Sequence, residues 1–506
     1  MAVAQAALGA GALSCDVLLP PDDQVDGWDA ADAISEGIDV TEFIAIGPRM
    51  SIKPASATPT QEPTVWATDE ALALSFTTRY AEDWRYCAAW GKWLVWDGRR
   101  WHCDETLLIY HLTRALCREA ALKADSHRLA AKLASSGTVS GVERLVRCDR
   151  NHAATSNEWD TDLWKLNTPT GVVDLRTGHQ HSHKRIDRMT KMTSASAKGQ
   201  CPQWCQFLNE VTGNDTALQA YLQRMTGYCL TGVTDEHALF FLYGTGANGK
   251  SVFVNTLATI LGSYAANAPM DTFMETRSDR HPTDLAGLRG ARMVSSVETE
   301  QGRRWAESKL KHLTGGDKIC ARFMHQDFFE FIPQFKLIIA GNHKPSIRNI
   351  DEAMRRRLHL IPFTITVPPK RRDTQLQHKL LAEKDGILAW AIQGCLNWQR
   401  IGTLEPPQQV QEATNEYFEC EDALGRWIDE RCIRDANGKS LTAELFGDWK
   451  RWAEATGEFP GSQKRFAEQL LSRNIEKWRN SSGLRGFRGL TLKQPPAAPP
   501  PPYSDL

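Results

Sequence analysis

The chain has 506 residues, 42% of them apolar, which is enough mass for three or four globular domains. Its apolar runs fall well short of the ~18–20 residues that a membrane span requires, so an integral membrane protein is excluded and no membrane partner is expected. The formal net charge of −1 at first sight counts against a polyanionic partner.

Residues 1–14 are apolar but have no cation ahead of them and no clear cleavage site, so no signal peptide is expected. Residues 1–60 hold nine acids against Arg49 and Lys53, and 51–63 are rich in Ser, Thr and Pro. This stretch, 1–65, reads as an acidic leader and linker, with one short helix over 30–36 as the alternative. Thr68 predicts the cap of an amphipathic helix over 69–82, with Leu72, Leu74 and Phe76 among its apolar positions. The runs 92–96 and 99–103 flank Asp97-Gly98, a hairpin signal. Residues 104–150 read as helical, and a second hairpin is predicted at 171–175, turning at Thr177-Gly178.

Residues 201–236 read as helices carrying Trp204, Phe207, Leu208, Tyr221, Leu222 and Met225. An α/β segment follows, with apolar strands at 238–243, 292–297 and 335–340 and closing helices near 375–400. After Pro406-Pro407, residues 415–493 form a last unit, and the proline-rich tail 494–506 reads as polyproline-like or disordered. Twelve cysteines without a framework spacing suit a reducing cytosol.

Gly244-Thr245-Gly246-Ala247-Asn248-Gly249-Lys250-Ser251 matches G-x-x-x-x-G-K-[ST] in full, between a strand-like run and a helix-like run. Glycines there let backbone N–H groups curl around phosphate oxygens at a helix N-terminus. Lys250 then reaches the β- and γ-phosphates, and the Ser251 hydroxyl ligates Mg²⁺. ATP and Mg²⁺ are thus the expected cofactors. The second strand ends at Glu298-Thr299-Glu300, which offers an acid for the metal shell and the attacking water, Glu298 ahead of Glu300. The third strand ends in Gly341-Asn342-His343-Lys344, where Asn342 can sense the γ-phosphate or merely shape the turn. One of Arg355, Arg356 and Arg357 could act on a neighbour's nucleotide. Two apolar stretches around 319–323 and 328–331 suggest an inserted β-hairpin bearing Lys318, Arg322 and His325 toward a polyanion.

Taken together these elements resemble the superfamily 3 helicase domain of phage and plasmid primase-helicases. The resemblance covers roughly 66–400 and is dense from 203 to 366. It includes Leu230-Thr231-Gly232, Arg289-Gly290-Ala291-Arg292, Leu313-Thr314-Gly315-Gly316-Asp317, Ala340-Gly341-Asn342-His343-Lys344-Pro345 and Arg356-Arg357-Leu358. Residues 66–200, with Trp159-Asp160 and Leu166-Asn167-Thr168-Pro169, are similar to the domain that precedes the helicase in that family. The resemblance implies an α/β fold: an AAA+-like P-loop NTPase core over 201–400 with an α+β N-terminal domain. It further implies a ring, usually a hexamer, translocating 3′-to-5′ on single-stranded DNA in the cytoplasm of a bacterial host. By motif order Lys250 and Ser251 fall on Walker A, Glu298 on Walker B, Asn342 on sensor 1 and Arg356 on the finger. The hairpin from Arg322 to Gln326 falls where the family places its DNA loop, with His325 near the tip.

Residues 27–34 resemble the end of a Toprim-type module, and the chain is too short for a whole one. No primer synthesis is expected, and a separate primase or replication protein becomes a candidate partner. The polar strand residues Ser295 and Ser296 depart from the family pattern and leave Glu298 and Glu300 both open. Residues 439–493 carry eleven Lys/Arg and six Asp/Glu, interleaved with Trp449, Trp452, Phe466, Trp478 and Phe487. They suggest a winged-helix-like DNA-binding domain, so the small total charge hides an acidic start and a basic end. His179, His181 and His183 lack nearby Cys or acids and read as a surface loop rather than a zinc site. The reading is an ATP-dependent helicase for replication of a phage, prophage or plasmid. The alternatives are an AAA+ remodelling or loading ATPase and an ATP-gated initiator without unwinding.

Overall fold

The structure is a computed structural model and describes residues 6–7, 12, 15–19, 30–52, 66–276, 283–297, 302–324, 327–347, 351–471, 473–479 and 483–493. The chain divides into two units, residues 1–79 with 110–146 and residues 80–109 with 147–506.

In the first unit β1 (Cys15–Leu18) pairs antiparallel with β2 (Arg49–Ile52), Cys15 facing Ile52. Helices Ala30–Ser35 and Val40–Ile46 lie between them in sequence. Asp39 starts the second, its carboxylate accepting from the Thr41 and Glu42 amides. The helix over 30–36 is therefore present, and the acidic stretch carries more local structure than its charge suggested. Its basis is caps and one short ladder; among its described residues only Ala33 is deeply buried. The Thr68 hydroxyl accepts from Ala71 N at 3.2 Å and opens helix Asp69–Tyr80 as predicted. Leu72 and Phe76 are buried, but Leu74 faces outward at 48% exposure, because two residues along a helix turn the side chain to the far side. Helices Leu108–Leu122, His127–Leu133 and Ser136–Cys148 fill the stretch predicted to be helical.

The second unit opens with a four-stranded sheet in the order β5-β4-β3-β6, from β3 (Trp84–Cys87), β4 (Lys92–Trp96), β5 (Trp101–Cys103) and β6 (Ala153–Ala154). Asp97 closes the predicted hairpin, accepting from the amides of Arg99 and Arg100 at 2.8 Å. The second predicted hairpin forms within β7 (Lys165–Thr168), β8 (Gly171–Asp174) and β9 (Gln180–His181).

A five-stranded, all-parallel sheet follows, from β10 (Leu239–Tyr243), β11 (Ala265–Asn267), β12 (Met293–Val297), β15 (Lys336–Gly341) and β16 (Leu358–Pro362). Its order is β11-β12-β15-β10-β16. An antiparallel hairpin, β13 (Ile319–Ala321) with β14 (Phe329–Phe331), is inserted between β12 and β15 where the sequence predicts one. Continuous apolar runs suit strands covered on both faces. The two-residue side-chain period then sorts them. Phe240, Leu242, Ile338 and Ile361 pack against helices Pro202–Thr212, Thr216–Leu230, Lys250–Leu261 and Lys384–Ile401. Leu239, Phe241, Leu337, Ile339 and Leu360 pack with Phe273, Trp305, Leu310 and Phe418.

Three of these five strands are legible in the sequence. β11 is three residues of Ala and Asn, and β16 carries His359 and ends in a proline, so neither has strand composition. Both gain their pairing from the neighbours. His359 is half-buried, and its Nδ1 lies 2.8 Å from the Tyr221 hydroxyl; burial pushes the imidazole pKa down to about 4, so the ring is neutral and shares one hydrogen bond with that hydroxyl.

At the amino ends of β12 and β15 two buried cations hold the C-terminus of helix Thr216–Leu230. Arg292 donates to Leu230 O at 2.6 Å and Lys165 O at 2.7 Å. Lys336 donates to Thr231 O and, at 3.2 Å, to Val233 O. Cations at a helix C-terminus satisfy its orphan carbonyls and its dipole. This gives the 230–232 and 289–292 stretches a structural reason.

The second unit ends with helices Ala423–Arg431, Thr442–Thr456 and Gln463–Leu471 packed on an antiparallel sheet of order β17-β19-β18, from β17 (Cys432–Leu441), β18 (Glu476–Arg479) and β19 (Arg485–Leu492). Trp449, Trp452, Phe466 and Phe487 are buried in its core with Trp427. The interleaved aromatics are thus packing residues, apart from the half-exposed Trp478. The basic side chains between them, among them Lys450, Arg451, Lys464, Arg479, Arg485 and Arg488, stay exposed.

Candidate functional site

The carboxyl end of the parallel sheet gathers most of the described residues that the sequence singles out. β10 is central, with Tyr243 in register with Gly341 of β15 on one side and Pro362 of β16 on the other. The chain leaves β10 through Gly244–Gly249 and re-enters a helix at Lys250. Gly249 stands at the N-cap with φ +84, and a Cβ there would lie 2.5 Å from Val211. Only glycine fits this close approach of the loop to helix Pro202–Thr212. Asn248 is buried and donates to Phe363 O at 2.7 Å, while Val367 N donates to Ala247 O at 2.8 Å. The loop is therefore clamped by the segment that leaves β16, residues 363–367.

Lys250 is 6% exposed, and its ammonium donates to three oxygens: Gly244 O at 2.8 Å, Asn248 Oδ1 at 2.9 Å and Asn342 Oδ1 at 3.2 Å. Burial holds its pKa below the ordinary lysine value. A desolvated cation with only neutral partners is the electrostatic complement of an anion. It sits beside the first-turn N–H groups of helix Lys250–Leu261, which lack intrahelical acceptors. Thr245, Ala247, Ser251 and Asn342 are exposed at this edge, with Gly246 half-exposed. Loop, lysine and Asn342 are thus brought into one site. Glu298 and Glu300 lie outside the described residues; β12 reaches Val297, in register with Ala340 two residues before Asn342. The polar Ser295 and Ser296 are both buried within β12.

The three arginines separate clearly. Arg357 is buried, donating to Thr314 Oγ1 at 3.2 Å and Ala353 O at 2.9 Å, so it braces the fold. The Arg355 guanidinium lies 4.9 Å from the Phe418 ring centroid, against a cleft of about 1040 Å³. Arg356 is exposed. Sequence reasoning missed Lys344, whose ammonium lies 4.1 Å from the Tyr243 ring and whose pKa burial lowers. Its place beside Asn342 was the available signal.

The hairpin stands apart from this site. Only Phe335 and three other residues separate β14 from the amino end of β15, so the hairpin joins the sheet at the end opposite the glycine loop. Lys318 is exposed, 3.8 Å from Glu330. Arg322 lies 4.8 Å from the Phe328 ring, and His325 lies outside the described residues. Among the described residues there is no cluster of three metal-ligating side chains, and no helix is long and apolar enough to cross a membrane. His183 is tied to Thr168 O at 2.8 Å.

Two families match the sequence: "D5 N terminal like" over residues 73–213 and a family of unknown function, DUF5906, over 242–357. Among curated relatives, "Putative helicase L207/L206" of Acanthamoeba polyphaga mimivirus is 27% identical over 272 residues, which is 49% of this chain and 28% of that protein. "Putative helicase 022R" of Frog virus 3 is 25% identical over 282 residues, 51% of this chain and 28% of that one. "Putative primase C962R" of African swine fever virus is 22% identical over 326 residues, 58% and 34%. The matched stretches thus span about a third or less of these relatives. Among solved structures, the A form apo structure of the NrS-1 C terminal region aligns with TM-score 0.45 and 10% identity, over 83% of this chain and 98% of that one.

Proposed function

We propose that this chain, a member of the phage-type primase-helicase family, is an ATP-driven DNA helicase for replication of a phage, prophage or plasmid. One observation carries the reading. The Lys250 ammonium is desolvated and caged by Gly244 O, Asn248 Oδ1 and Asn342 Oδ1 at the carboxyl end of the central strand. Open parallel sheets bind ligands at that end, where successive connections leave to opposite sides. Here the chain crosses from β10 to the far edge at β11 and later returns to β16 on the other side. The names of the viral relatives support a replication role.

In this reading Gly244–Ser251 is a P-loop in an AAA+-like core. Lys250 exchanges a loop oxygen for β- and γ-phosphate oxygens of ATP, and desolvation strengthens that contact. The exposed Ser251 hydroxyl, with Glu298 or Glu300, fits a hard cation; Mg²⁺ bound there supplies charge neutralisation between the phosphates. Asn342 orients water while fixing Lys250 in the absence of nucleotide. Arg356 reaches the neighbouring protomer's nucleotide in a ring, a hexamer by resemblance. The hairpin, with Lys318, Arg322 and His325, follows single-stranded DNA 3′-to-5′ at a fork. The last unit is winged-helix-like and adds duplex contacts through its exposed basic side chains. A separate primase and the cytoplasm of a bacterial host complete the proposal.

The test is ATP turnover and strand displacement on forked DNA, for the unaltered chain and for Lys250→Ala. Turnover stimulated by single-stranded DNA, with unwinding, is expected. Unchanged turnover in Lys250→Ala overturns the site. Turnover without unwinding favours a remodelling ATPase, and site-specific DNA binding without turnover favours an initiator.

A further inference from the structure

The inserted hairpin presents apolar rather than purely basic surface beyond its two strands. Phe323 is 43% exposed, Met324 70% and Phe328 59%, within six residues of sequence. Monomeric proteins rarely leave such large side chains grouped in water without a use. The group is built, not loose. Ile319 and Ala321 of β13 and Phe331 of β14 are buried in the core of the sheet, which fixes the hairpin at its root. Phe323 stacks on Phe329, ring centroids 5.6 Å apart and planes inclined at 26°. Arg289 lies between Phe329 and Trp90, its guanidinium 5.4 Å and 5.3 Å from the two rings. Arg322 covers one side of Phe328 at 4.8 Å, and Lys318 stands exposed at the start of β13.

We infer that Phe323 and Phe328 form a stacking platform for unstacked nucleobases of a single strand, with Arg322 and Lys318 beside it for the phosphates. The inference rests on the proposed reading of the hairpin as the strand contact, and adds that bases as well as phosphates are gripped. A flat aromatic face flanked by cations complements a base with its phosphate, and every base has such a face, so the grip is indifferent to sequence. A duplex keeps its bases stacked inside, so the same platform favours single strands over duplex.

The experiment uses the full chain and two fluorescent probes of equal length and charge: oligo-thymidylate and an abasic deoxyribose-phosphate oligomer. Phosphate contacts hold both, whereas stacking holds only the first. Anisotropy titrations at moderate salt should show the thymidylate bound about tenfold or more tightly. The double variant Phe323→Ala/Phe328→Ala should lose that preference while keeping its affinity for the abasic probe within about twofold, and Phe323→Trp/Phe328→Trp should keep the preference. Equal binding of the two probes by the unaltered chain overturns the inference alone. So does a double variant that retains the preference, or one that loses abasic binding and ring assembly together, as it would if the patch joined protomers. Binding to neither probe overturns the reading of the hairpin itself, and the inference with it.

Discussion

The two ends of the parallel sheet are built on opposite principles. At the carboxyl end the chain is small, polar and clamped: glycines, a buried asparagine and a desolvated lysine whose hydrogen bonds are all to neutral oxygens. At the amino end the inserted hairpin is large, aromatic and wet, with its cations stacked on rings or exposed. The first arrangement suits a small, highly charged ligand that must be held in one geometry, because desolvation magnifies each charge contact. The second suits a long ligand that must be gripped and released repeatedly, since stacking tolerates many registers. In the proposed reading one sheet separates a site for chemistry from a site for holding polymer, and its strands join them.

The sharpest way to break this comparison is at Lys250. Lys250→Ala should reduce ATP turnover by roughly 10²–10³-fold or more, measured by phosphate release, while DNA binding at the hairpin end remains. Arg356 and Arg357 come next. Arg356→Ala should abolish turnover in the assembled ring with the melting temperature unchanged. Arg357→Ala should instead cost about 2 kcal/mol in urea unfolding, because it leaves Thr314 and the Ala353 carbonyl without their partner.

The shared frame should answer to pH through His359. Its folded pKa of about 4 lies below the ordinary 6.5, so between those values the unfolded chain binds the extra proton. Stability is then full above pH 6.5 and declines as pH falls toward 4, by of the order of 3 kcal/mol at the lower end. Urea unfolding of the chain and of His359→Asn across pH 4–7 checks this, since the variant should lose that slope. The smallest effect belongs to the anchor behind the hairpin. Arg289→Gln should leave basal turnover unchanged but lower its stimulation by single-stranded DNA about threefold, the loss of one partly desolvated cation–π anchor; Arg289→Lys should restore part of it.

Much of the site at the carboxyl end was legible because its signals are local. The glycine loop, Lys250 and Asn342 occupy fixed places next to apolar strand runs, and the hairpin shows as two apolar segments around a polar centre. The aromatics of 439–493 misled because interleaving with cations is the same pattern whether a ring faces solvent or core. Only packing distinguishes them, and it buries Trp449, Trp452, Phe466 and Phe487. The role of Lys336 was invisible for a related reason: a lysine opening an apolar strand has no meaning until the end of helix Thr216–Leu230 arrives beside it.

The sequence by itself determined the α/β character, the glycine loop before Lys250 and the insertion of a hairpin, since side-chain period and glycine spacing act over a few residues. Tertiary structure decided the strand order, the recruitment of β11 and β16, the separation of Arg356 from Arg357, and the meeting of Lys250 with Asn342 across 92 residues of chain. Those depend on which surfaces exclude water from one another, and burial is a property of the assembled core rather than of any local run of residues.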